Sequence, residues 1–209
     1  MKNTELLFIL DRSGSMHGLE QDTIGGFNAL LKENQQLKTP CHITTILFDH
    51  QINILHDRLD IQTIKPLTEK DYFIGGSTAL FDAIGYGISK INNVLKQIDA
   101  NVLVVIITDG YENSSREYTG PQIKSMLNQL KDKNWEFIFL GANIDVGEFA
   151  QQVGIDKSRA KSFHSDKKGT QLNYKVMNET IKNYRQNQRI DDKQLDEIDK
   201  DFQIRKKWN

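Results

Sequence analysis

Apolar residues fall into short runs of strand length: Leu6–Leu10, Ile43–Phe48, Ile52–His56, Val102–Thr108 and Phe137–Leu140. The fourth, "VLVVIIT", shows no polar alternation, the pattern of a strand buried on both faces of a sheet. Between the runs the period changes from two to 3.6. Ile24, Phe27, Leu30 and Leu31 repeat at helical spacing, and so do Leu80, Ile84, Ile88, Ile91 and Leu95. A third helix is predicted from Ile123, Met126, Leu127 and Leu130, entered at Gly120-Pro121 with proline placed at the first helical position. Strands alternating with such helices predict a parallel sheet covered on both sides.

One connection departs from that rule. Only Asp49, His50 and Gln51 separate "ITTILF" from "INILH", too few residues for a parallel crossover, so this pair is expected to form an antiparallel hairpin at a sheet edge. After Leu140, Asp145 and Gly154 frame a short helix as N-cap and C-terminal glycine. A last short strand is expected in "AKSFH" and a last domain helix over 170–186. The fold expectation is an α/β doubly wound sheet of about six strands, mostly parallel, with one antiparallel edge strand at 52–56 and helices on both faces. The expected division is a domain over 1–186 and a charged tail over 187–209. In that tail Leu195, Ile198 and Phe202 share one helical face, and docking on the parent domain is the expected use.

Composition narrows the function classes. The chain has 209 residues, 38% apolar and 26% charged, with a formal net charge of -1. That is one normal α/β domain, and the near-neutral balance gives no basic face for nucleic acid. Cys41 is the only cysteine, which rules out an internal disulfide and points to a reducing compartment. "MKNTELLFILDRSGS" has too short an apolar run for a signal peptide or a spanning segment. The expectation is a soluble, cytoplasmic protein with no membrane or nucleic-acid partner.

The chemistry concentrates where strands end. Asp11 follows the first strand and Asp109 the fourth, while "GGST" at 75–78 opens the helix that leads into the latter. In open α/β sheets, ligands bind beyond the carboxyl ends of strands, where strand order reverses. Two acids and a hydroxyl loop gathered there suit a hard cation, Mg²⁺, Mn²⁺ or Ca²⁺, and the lack of clustered Cys or His argues against zinc. Asp82 and Glu112 stand near these segments but read as first-turn and loop acids. Ser77 and Thr78 also fit N-cap positions, Gly75 and Gly76 serve backbone geometry, and His17, His42, His50, His56 and His164 show no ligand spacing.

"DRSGSM", "GGSTALFDAI" and "TDGYENSS", in that order, resemble the metal-ion-dependent adhesion site of a von Willebrand factor type A domain, of the intracellular bacterial kind, over residues 4–165. The resemblance implies hydroxyl ligation by Ser13, Ser15 and Thr78, with Asp11 and Asp109 holding the ion directly or through water. Neutral hydroxyls leave the cation electrophilic, and the implied function is a non-enzymatic interaction module that binds a Glu or Asp of another protein. Two alternatives stand beside it. One is an accessory subunit of a bacterial ATPase or of a stress or tellurium-resistance assembly, with the same chemistry and another partner. The other is a Mg²⁺-dependent phosphotransferase using the strand-end aspartate. Against the latter, position 13 is serine where such sites want a second acid, and neither a Walker-type nor a G-x-G-x-x-G pattern is present.

Overall fold

The computed structural model describes residues 2–206; Met1 and the last three residues of the expected tail, 207–209, lie outside it. Six strands form one sheet: β1 (Asn3–Asp11), β2 (Cys41–Phe48), β3 (Ile52–Asp60), β4 (Ala100–Thr108), β5 (Trp135–Gly141) and β6 (Ala160–Ser162). Their spatial order is β3-β2-β1-β4-β5-β6. Every neighbouring pair is parallel except β2 with β3, which is antiparallel at the edge. The chain therefore winds one way from β1 and the other way from β4, and strand order reverses between those two.

Among the described residues six α-helices cover the sheet: α1 (Glu20–Asn34), α2 (Leu80–Val94), α3 (Gly120–Leu130), α4 (Val146–Val153), α5 (Lys167–Asn187) and α6 (Asp192–Lys206). Alternation along the strands sorts the core into two layers. Leu6, Phe8, Leu10, Leu103 and Val105 face α1, α5 and α6, while Leu7, Ile9, Val104 and Ile106 face α2, α3 and α4. Strands buried on both sides need apolar residues at every position, which is why β4 reads as a continuous run.

Local signals behave largely as the sequence predicts. Asp145 Oδ1 accepts the Glu148 N–H at 2.8 Å, and Gly154 closes α4 with φ +80°. Pro121 enters α3 within a reciprocal Thr119–Gln122 capping box. β3 runs four residues beyond the predicted His56, because register shifts around Thr45 and the left-handed Arg58 (φ 48°) let it bend and keep pairing. The tail folds as α6, which buries Leu195 and Ile198 in the core and lays Phe202 against His164 (ring centroids 4.7 Å apart). Among the described residues no helix is long and apolar enough to cross a membrane.

Candidate metal centre

β1 and β4 are parallel neighbours in register, Leu10 opposite Ile107, so Asp11 ends level with Thr108 and Asp109 lies one residue further on. Asp11 is 1% exposed. Its carboxylate accepts the Ser13 N–H at 2.6 Å and the Thr108 hydroxyl at 2.5 Å. Burial pushes this carboxyl up from an ordinary 3.8 to about 6; the hydrogen bonds from Ser13 and Thr108 oppose the rise and the neighbouring Asp109 charge adds to it. The buried carboxyl thus carries its negative charge at a cost, in the kind of setting in which acids at functional sites are found.

The hydroxyls converge on one spot. Ser13 Oγ and Ser15 Oγ are 3.2 Å apart. A β-carbon placed on Gly110 would stand 3.0 Å from Ser15 Oγ, 3.2 Å from Thr78 Oγ1 and 3.8 Å from Ser13 Oγ. The glycine after Asp109 thus leaves open a cradle ringed by three hydroxyl oxygens. Asp109 borders it and is 1% exposed. Ser165 donates to its Oδ2 at 2.7 Å, while its Oδ1 is buried without a partner. A buried carboxylate oxygen with no donor is costly unless something positive reaches it.

Backbone contacts stitch the three contributing loops together. Gly14 N–H donates to Gly76 O at 2.9 Å and Gly75 N–H to Arg12 O at 2.7 Å. Asn113 N–H donates to Thr78 O at 3.0 Å, and the Asn113 side chain accepts the Thr78 N–H at 2.9 Å. The Tyr72 hydroxyl supports the Asp11 carbonyl at 2.5 Å. Behind this seam Arg12 pairs with buried Asp49 at 3.3 Å and stacks on Phe73 at 4.5 Å. Gly75 has no room for a side chain, since its β-carbon would fall 1.6 Å from Asp49 Oδ2.

All five sequence-predicted residues, Asp11, Ser13, Ser15, Thr78 and Asp109, come together around Gly110. Capping of α2 differs from expectation. Its N-cap is Ala79, without a side-chain bond, and neither Ser77 nor Thr78 caps it. The orphan amides are taken by a distant loop: Phe81 N–H donates to Glu112 Oε2 and Asp82 N–H to Ser115 Oγ. Asp82 in turn accepts the N–H groups of Arg116, Glu117 and Tyr118. Both acids therefore hold backbone of the facing segment, a role that the reading of them as a first-turn acid and a loop acid does not contain. Two further residues at the site carry little sequence signal. Thr108, which orients Asp11, is the one polar residue of its run, and Ser165, which orients Asp109, sits in a loop without pattern.

The donor set fits a hard divalent cation: neutral hydroxyls, two carboxylates and one uncompensated oxygen. Among the described residues no three His, Cys, Asp or Glu side chains group as a metal site, so an ion here would depend on hydroxyls as much as on acids.

The central sheet, with strand-end acids and hydroxyl loops gathered at the point where strand order reverses, is that of an open α/β domain. The sequence matches the von Willebrand factor type A domain over residues 5–180, and the chain belongs to that family. No curated protein matches it. Among solved structures it is similar to the von Willebrand factor type A protein of Catenulispora acidiphila (TM-score 0.59, 14% identity, covering 86% of this chain and 42% of that one). It is also similar to the ArnB paralog VWA2 of Sulfolobus acidocaldarius (0.57, 18%, 86% and 45%) and to manganese-loaded TRAP protein of Plasmodium vivax (0.56, 17%, 82% and 72%). At these identities the likeness is one of fold, and the chain spans less than half the length of the first two.

Proposed function

We propose that this domain is a non-enzymatic, cytoplasmic interaction module of bacterial type that captures a Glu or Asp of a partner protein through one divalent cation, Mg²⁺ or Mn²⁺. Ser13, Ser15 and Thr78 would hold the ion through hydroxyls and Asp11 and Asp109 through carboxylates. The observation that carries this reading is the pairing of the three-hydroxyl cradle over Gly110 with the orphaned Asp109 Oδ1. A cation held there would supply a Lewis-acidic position suited to a carboxylate of the partner. The chain's own residues fix the loops, exclude water from beneath the site and aim the Asp11 and Asp109 oxygens. The manganese in the TRAP neighbour's structure gives a precedent for a divalent ion on this fold.

Affinity for the free ion is expected to be modest, because only two donors are charged and Mg²⁺ sheds water reluctantly. Isothermal titration of wild type and Asp11→Ala with Mg²⁺ and with Mn²⁺ tests the assignment. The wild type should take up one ion and the variant none, with circular dichroism unchanged. Equal uptake by the two proteins would overturn the site.

A further inference from the structure

A groove of about 320 Å³ opens directly beside the hydroxyl cradle, and Gly110 belongs to both. Its apolar walls come from Leu80, Phe81, Ile144 and Phe149, with the Phe81 and Phe149 rings stacked 6.0 Å apart. Tyr111, 61% exposed, stands at the end nearest the cradle. The opposite rim carries Asp145 and Glu148, both exposed, and no basic side chain lines the groove. Glu112 also borders it, but its two oxygens already accept from Phe81, Ser114 and Ser115. Those bonds leave the Glu112 charge in place but tie down its oxygens, and Asp145 Oδ1 likewise holds the Glu148 N–H, so the carboxylate free to turn toward a partner is that of Glu148, with the Asp145 charge beside it.

Resting on the metal-dependent reading above, we propose that this groove selects the partner's sequence around its metal-bound acid. The acid is followed within one or two residues by a bulky apolar side chain, which enters the groove, and then by a Lys or Arg that meets Asp145 and Glu148. The volume lies at the bottom of the range for small-molecule sites and suits one or two side chains. An extended chain advances about 3.3–3.6 Å per residue, so the acid's immediate neighbours are the ones within reach of a groove that shares Gly110 with the cradle. Rim charge of one sign steers and selects for the opposite sign and penalises its own. A run of acids, which an electrophilic cation alone would welcome, is thereby disfavoured; the fitting acid is an isolated one in an apolar-basic context. Tyr111, exposed where it lines the groove, is the residue type that anchors such contacts.

The test is an array of nine-residue peptides with a central Glu, the next residue Leu, Phe or Gly, and the one after Lys, Ser or Glu. It is probed with the full chain in Mg²⁺ and in EDTA, for wild type and Glu148→Lys. Glu-Leu-Lys should exceed Glu-Gly-Lys by about tenfold from apolar burial. Replacing the Lys with Glu should cost up to about fivefold, the range of an exposed charge pair. Glu148→Lys, which leaves the Asp145 charge in place and sets a cation beside it, should abolish that last preference. A Mg²⁺-dependent signal indifferent to neighbours, a Lys preference that survives Glu148→Lys, or no binding at all would overturn the groove assignment while leaving the ion titration above to decide the metal site. A neighbour-dependent signal unchanged by EDTA would instead overturn the metal link.

Discussion

Asp11→Asn should make the metal-free protein more stable, and only above mildly acidic pH. Burial holds the Asp11 carboxyl near 6 against 3.8 in an exposed chain. Below 3.8 both folded and unfolded forms are protonated and folding costs nothing at this group. As pH rises from about 3.8 to 6 the unfolded chain gives up its proton while the folded one keeps it, so stability falls across that window. Above 6 the loss is complete, about 3 kcal/mol at about 1.4 kcal/mol per pH interval. An asparagine never carries that charge, and its contacts can be kept. Its oxygen would still take the Ser13 N–H, and its amide would donate to Thr108, whose own hydroxyl has the Gly110 carbonyl 3.2 Å away. At pH 8 in EDTA the variant should melt about 6–12 °C above wild type for a chain of this size. At pH 4.5 the gain should shrink to about 1 kcal/mol. Mg²⁺ at a hundred times its dissociation constant should raise wild type by about 2.7 kcal/mol and leave the variant unmoved. Thermal melts in EDTA and in Mg²⁺ at the two pH values are the assay. A variant less stable than wild type at pH 8 in EDTA, or equally stabilised at both pH values, would refute the reasoning.

Substitutions at three other positions probe the surroundings of the site and the tail helix. Ser165→Ala should weaken Mn²⁺ binding about tenfold by freeing the Asp109 carboxylate to rotate, and Ser165→Thr should restore it, both read by titration calorimetry; unchanged affinity in Ser165→Ala would remove Ser165 from the site. Gly75→Ala should cost at least about 2 kcal/mol in urea denaturation, because its methyl displaces Asp49 from Arg12; an unchanged midpoint would mean the loop adapts freely. Leu195→Ala should cost about 2–5 kcal/mol as a fully buried leucine in the core, and a midpoint equal to wild type would show that α6 contributes nothing to the fold.

The sheet was legible because burial on both faces forces unbroken apolar runs, and the β2–β3 hairpin because three residues cannot carry a crossover. Asp11, Asp109 and the 75–78 loop stood out because acids at strand ends are a local signal, while the choice of Ser13, Ser15 and Thr78 came with the resemblance of "DRSGSM" and "GGSTALFDAI" to the family's site. What escaped is what depends on distant segments. The cap of α2 comes from Glu112 and Ser115, more than thirty residues downstream, and capping chemistry read along the chain looks only a few residues away. Ser165 reaches Asp109 because β6 pairs with β5, a register that no feature of "SFHSD" announces. The tail read as charged, and Leu195 and Ile198 were visible at helical spacing. That Asp196 and Asp199 would both clasp Lys161 of β6, at 2.9 and 2.8 Å, was not.

That clasp bears on how the molecule can associate. A sheet's outer strands are the natural place for another chain to add itself, since their backbone groups stand unpaired. Here β6 is three residues long and lies under α6, held by the Lys161 ion pairs. At the far side β3 is bent by its bulge and carries Asp57, paired to Lys90 at 2.9 Å, and the kinked Arg58. Both borders are thus poorly suited to templating a further strand, through which stacking into fibres or borrowing of a partner's strand would proceed. An encounter at the loops of the carboxyl end, as proposed above, would then be read by side chains, without competition from backbone pairing that ignores sequence.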